Sequence, residues 1–140
     1  MSCILRVGGQ ELDVGALLKR LPFTPYRTWC KGDVHGVKKK ILTDSGAAFD
    51  VSQADLDEFE RQIEDATAFL EEHGASLEAM TAFPGVEYAV LDFGIEMRDE
   101  WAAYSDYLPA KFIRAAAPTG LDIELSHYRC REEDEEEKES

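Results

Sequence analysis

An α+β fold, with a single mainly antiparallel sheet and helices packed on one face, is predicted by three features of this sequence. Apolar residues alternate with period two over residues 88–97 and again over 121–128, so both segments read as strands with one covered and one open face. A 3.6-residue period runs through Leu56, Phe59, Ile63, Ala66, Phe69 and Leu70. Asp57, Glu60, Arg61, Glu64, Glu71 and Glu72 lie on the opposite side, the pattern of a long amphipathic helix. Strands also follow strands through short connections, which favours hairpins over the crossovers of a doubly wound sheet.

The elements read in the order β-α-β-β-α-β-β-α-β. Residues 3–7 are short, mostly apolar and bounded by Gly8-Gly9, a strand and its turn. Asp13 caps a short helix carrying Val14, Leu17, Leu18 and Leu21, and Pro22 and Pro25 end it. Residues 26–31 form a second strand around Trp29, and residues 47–51 a third. Between them, residues 31–46 are the least regular stretch, with Gly32, Gly36, Gly46 and the run Lys38-Lys39-Lys40. Ser52 is the expected start of the long helix and Gly74 its C′ residue, with one or two further turns through Leu77, Met80 and Phe83. Residues 88–97 put Ala89, Leu91, Phe93, Ile95 and Met97 on one face, and Tyr88, Val90, Asp92, Gly94 and Glu96 on the other. A tight connection at 98–100 leads to a partner strand over 101–107. Pro109 opens a helix with Phe112, Ile113 and Ala116, and Gly120 closes it. The last strand faces Leu121, Ile123 and Leu125 inward. Residues 1–130 are expected to form one domain, and 131–140 a disordered acidic tail.

The 140 residues carry a net charge of −14. Residues 129–140 hold seven acids against Arg129, Arg131 and Lys138, which leaves −10 on residues 1–128, from 12 basic and 22 acidic side chains. Such a field repels nucleic acid and anionic membranes and attracts basic partners. Acidity for solubility alone would look the same. No apolar run is long enough to span a bilayer. The N-terminus lacks the features of a cleaved signal, so the expected location is the cytoplasm. Cys3, Cys30 and Cys130 are odd in number and lack CxxC spacing, the signature of free thiols in a reducing compartment. Cys3 reads as a buried small hydrophobe, and Cys130 lies between two arginines that could lower its pKa.

Catalytic and metal signatures are missing: the sequence has no GxSxG, HExxH, GxGxxG, Walker A loop or CxxC pair. The expectation is accordingly no enzyme, no cofactor and no metal. His73 ends the long helix, where the macrodipole favours a cation. His127 shares parity with Leu125, so it is expected to be partly buried. A constellation of His127, Cys3 or Cys30, and Asp92 has no support in the sequence. Lys31, Lys38, Lys39 and Lys40 form the single basic stretch, with a spacing that fits no phosphate loop.

Asp92 is the acid to examine first, because strand propensity disfavours it and Gly94 leaves room beside it. Glu96, Asp122 and Glu124 share its outward parity. If their strands are neighbours, four carboxylates gather on one sheet face, and like charges there favour a compensating partner. Trp101 joins them as a partner-binding candidate if it is exposed beside that face. An ordinary solvated sheet face would show the same pattern.

Residues 52–128 resemble an uncharacterised family of small bacterial proteins, a domain of unknown function of the immunity-protein type. The resemblance rests on Ser52, Gln62-Ile63-Glu64-Asp65, Phe69-Leu70, Leu91-Asp92-Phe93-Gly94-Ile95, Pro109 and Glu124-Leu125-Ser126-His127-Tyr128. It implies no activity and no catalytic residue. It does imply an immunity-type antitoxin, and the acidic charge adds the expectation of a basic protein partner, such as its toxin. The alternative is a small enzyme or ligand-binding domain with a pocket on the open sheet face. The oligomeric state is not legible.

Overall fold

The computed structural model describes residues 1–100 and 102–129. β1 (Cys3–Gly9) forms the middle of a five-stranded sheet and pairs antiparallel with β5 (Ser45–Ser52) and β6 (Tyr88–Glu96). β2 (Arg27–Trp29) adds antiparallel to β5, and β7 (Asp122–Tyr128) adds parallel to β6, giving the order β2-β5-β1-β6-β7. β3 (Val34–His35) and β4 (Lys40–Ile41) form a separate small hairpin. The sheet is mainly antiparallel, as its sequence pattern predicts.

Three helices complete the described residues: α1 (Val14–Leu18), α2 (Phe59–Thr81) and α3 (Ala110–Ala116), the last followed by a 3-10 turn at Ala117–Thr119. Asp13 caps α1, its carboxylate accepting from the Ala16 N–H at 3.1 Å. The core lies between the helices and one sheet face. Cys3, Leu5 and Val7 of β1 and Ala89, Leu91, Phe93 and Ile95 of β6 meet Phe59, Ile63, Ala66, Leu70, Leu77 and Met80 of α2 and Phe112 of α3. The alternation in β6 is therefore the division between core and opposite face.

Three expectations are corrected. Ser52 does not begin the long helix; it ends β5, and α2 begins at Phe59. The Ser52 hydroxyl accepts from the Ala54 N–H at 3.2 Å and donates to Asp65 of α2 at 2.7 Å. That is capping chemistry used to turn a loop and pin it to the helix. Gly74 does not close α2, which bends at His73 (φ −113°, ψ 16°) and continues to Thr81. No strand forms over residues 102–109. The position beside β6 is taken by β7, which arrives parallel after α3. Trp101 and the tail from residue 130 onward, Cys130 included, lie outside the described residues.

Candidate functional site

The sheet face turned away from the helices is organised in cross-strand rows. In one row Asp50, Ile4, Asp92 and Glu124 stand side by side on β5, β1, β6 and β7. The next row holds Arg27, Ala48, Arg6, Val90 and Asp122. The sequence expectation that Asp92, Glu96, Asp122 and Glu124 share one face holds, because β6 and β7 are neighbours in matching parity.

What the sequence reading missed is Arg6. Its guanidinium donates to Asp92 Oδ2 at 2.7 Å and to Glu124 Oε2 at 2.7 Å, and the Ser126 hydroxyl donates to Asp92 Oδ1 at 2.7 Å. Asp92 is only 7% exposed. A carboxylate so buried needs charge and hydrogen-bond compensation, and this chain supplies it. Burial alone would lower the pKa of Arg6, but the hydrogen bonds to Asp92 and Glu124 outweigh it and raise the pKa. The signal available in the sequence was a lone arginine inside the apolar run Cys3-Ile4-Leu5-Arg6-Val7. Asp122 and Glu96 stand to either side of this network, opposite Val90 and Tyr128 in the register.

At the other end of the same face, Trp29, Gly46, Gly8 and Tyr88 form a row. The two rings lean inward over the paired glycines, where a Cβ on Gly8 would collide with Tyr88 and one on Gly46 with Trp29. Both rings meet Asp44: Trp29 Nε1 donates at 3.0 Å and the Tyr88 hydroxyl at 2.9 Å. Burial, and after it the bond to Asp44, pushes the Tyr88 pKa up to about 12.

A larger cleft of about 800 Å³ lies between the start of α2 and the segment following β6. Asp57, Glu58, Glu60, Glu64 and Asp106 line it, with Arg61, Arg98 and Tyr107. Five acids against two arginines leave it net negative. Arg61 reaches Glu58 at 3.8 Å. Tyr107 is 78% exposed, an aromatic anchor at the mouth of the cleft. Asp55, Asp57 and Glu58 bring carboxylate oxygens within 4.8 Å of one another, enough for a hard cation. Glu58 is already engaged, however, accepting from the Asp55 N–H at 3.0 Å, and these acids, Asp55 and Asp57 exposed and Glu58 half-buried, sit where a helix N-terminus favours negative charge.

The His–Cys–Asp constellation is not assembled. His127 is exposed instead of partly buried, and its Nε2 lies 3.5 Å from Asp106. β7 is an edge strand, so parity with Leu125 does not bury it. Cys3 sits in the core, where burial first and nearby carboxylates second push its thiol pKa well up, away from thiolate chemistry. Cys30 is exposed in the segment after β2. Comparison with protein-family models, with curated proteins and with solved structures gives no match to this chain.

Proposed function

We propose that this protein is a binding protein for a basic protein segment, docked in the acidic cleft at the start of α2. The observation that carries the reading is the unbalanced charge of that cleft, five acids to two arginines, beside the exposed ring of Tyr107. The acids expected from sequence to do this work, Asp92 and Glu124, are already held by Arg6. The cleft acids Asp57, Glu60 and Glu64, on the polar side of the long helix, are the better docking surface. An immunity-type role, neutralising a basic toxin without catalysis, is the biological form of this reading.

The test uses a basic partner captured from the native host and then purified. Association should be steered by charge, so its rate should fall steeply with ionic strength. Glu60→Lys with Glu64→Lys should weaken binding by roughly tenfold or more, while Glu124→Lys should change it little. Binding that ignores both salt and the α2 substitutions sinks the proposal.

A further inference from the structure

The β3–β4 arm carries the opposite charge to the chain as a whole. Lys38, Lys39 and Lys40 follow one another through its turn into β4, in a molecule of net charge −14. Among the described residues none of these three lysines joins an ion pair, whereas Lys31 at the base of the arm reaches Glu11 at 3.4 Å. The apolar residues of the arm are equally unused. Val34 and Ile41 stand opposite each other, each 63% exposed, and Val37 in the turn is fully exposed. The turn itself does not ask for lysine. The Lys39 N–H donates to the Gly36 carbonyl at 3.1 Å, and Lys39 holds φ at 51°, a backbone that glycine or asparagine adopts at less cost. The base is firmly fixed: the Gly32 N–H donates to the Leu42 carbonyl at 2.8 Å, and the Lys31 N–H donates to the Ser45 hydroxyl at 2.8 Å. The fold thus presents three free lysines and three exposed apolar side chains on a pinned hairpin.

The α2 cleft offers the matching surface. Its five acids against two arginines leave −3, which the three arm lysines balance. Tyr107 and Pro109 in its lining give an apolar wall for Val37. The arm cannot reach the cleft of its own chain. β5 and β6 both run antiparallel to β1, so they share a direction. The arm enters β5 at its first residue, Ser45, while the cleft lies beyond the last residues of β5 and β6. The eight residues of β5 alone span about 25 Å, and the chain from Asp33 to Val37 reaches only about 13 Å. Whatever arm fills the cleft therefore belongs to another molecule. Two acidic copies repel at long range, but at about 0.15 M salt the Debye length of about 8 Å leaves the balance to the charges at the contact. We propose that the β3–β4 arm of one copy docks in the α2 cleft of a second copy, with Lys38, Lys39 and Lys40 among the cleft acids and Val37 against Tyr107. This inference rests on the cleft being a docking site for a basic segment, and it names that segment.

The experiment is analytical ultracentrifugation of the full chain over a concentration series at about 0.15 M sodium chloride. The expected result is a species heavier than the monomer whose share grows with concentration. Two variants then divide the contact. Lys38→Glu, Lys39→Glu and Lys40→Glu together reverse the arm, and Glu60→Lys with Glu64→Lys reverses the cleft. Each set should weaken self-association at least about tenfold. Mixing the two variants in equal amounts should bring the heavier species back, because the unchanged arm of one meets the unchanged cleft of the other. Mixing would not repair a fold damaged by either set, so the recovery reports the contact itself. Replacing residues 34–41 with an Asn-Gly turn should abolish self-association without charge reversal. A wild-type chain that stays monomeric up to about 1 mM overturns the inference. So does association that ignores both sets of reversals, survives loss of the arm, or fails to return on mixing. The docking reading fails separately: a captured basic partner that still needs Glu60 and Glu64, beside a monomeric wild type, sinks this inference alone.

Discussion

At the scale of single residues, Arg6 decides how the acidic face behaves. Removing it as Arg6→Met leaves Asp92 buried without its counter-ion. Breaking a fully buried pair costs about 3–5 kcal/mol. Arg6 keeps 29% of its side chain exposed, so about 2–3 kcal/mol is the expected loss in urea unfolding, scaled down from that range. Glu124→Ala removes the half-exposed partner and should cost under about 1 kcal/mol. Equal losses from the two would mean that the bridge, and not the burial of Asp92, sets the energy. Tyr88 gives a pH test. Its folded pKa of about 12 lies above the ordinary tyrosine value of 10.0. The unfolded chain therefore loses this proton first. The stabilising contribution is complete below about pH 10 and is lost as pH rises through about 12. Absorbance titration should place the tyrosinate midpoint of Tyr88 above that of the exposed tyrosines, and Asp44→Asn should bring it down. The sequence displayed Asp92 as an anomaly, but not its solution, because a strand register 86 residues long in loop separation had to bring Arg6 beside it.

At the scale of elements, periodicity was legible where a segment buries one face against the helices, and failed elsewhere. β6 and α2 carry strong two- and 3.6-residue periods because each meets the core along one face. Residues 102–109 carry no such constraint: Tyr104 and Tyr107 are both exposed, and their three-residue spacing suits neither sheet face. The β3–β4 hairpin was illegible for a related reason. Each strand has two residues, and Val34, Val37 and Ile41 are all exposed, so no buried face patterns it. That isolation makes a prediction. The Leu42 N–H donates to the Asp33 carbonyl at 2.9 Å, so the two chain ends already lie together. Replacing residues 34–41 with an Asn-Gly turn should close the strands in a favoured hairpin geometry. The thermal midpoint should move by less than about 4 °C, near 1 kcal/mol for a chain of this size. A larger fall in calorimetry would show that the arm supports the sheet.

At the scale of the whole molecule, the charge acts on stability and on association with opposite signs. A net charge of −14 disfavours the compact state by self-repulsion. Among the described residues, the ion pairs between Lys or Arg and carboxylates away from Arg6 join exposed side chains, such as Lys31–Glu11, Arg61–Glu58 and Lys111–Glu71, while the Arg6 network is part-buried. Added salt screens the repulsion, with a Debye length falling from about 30 Å at 0.01 M to about 8 Å at 0.15 M. The thermal midpoint should therefore rise as sodium chloride increases over that range, since what is screened is mainly unfavourable. The same salt should slow capture of a basic partner, because there it screens an attraction. A midpoint that falls with salt would mean that specific ion pairs outweigh the general repulsion, and that the acids are there to hold the fold together. A midpoint that rises while association slows would separate the two roles in one titration. In that case surplus acids such as those of the α2 cleft persist at some cost to stability, as expected of groups kept for binding.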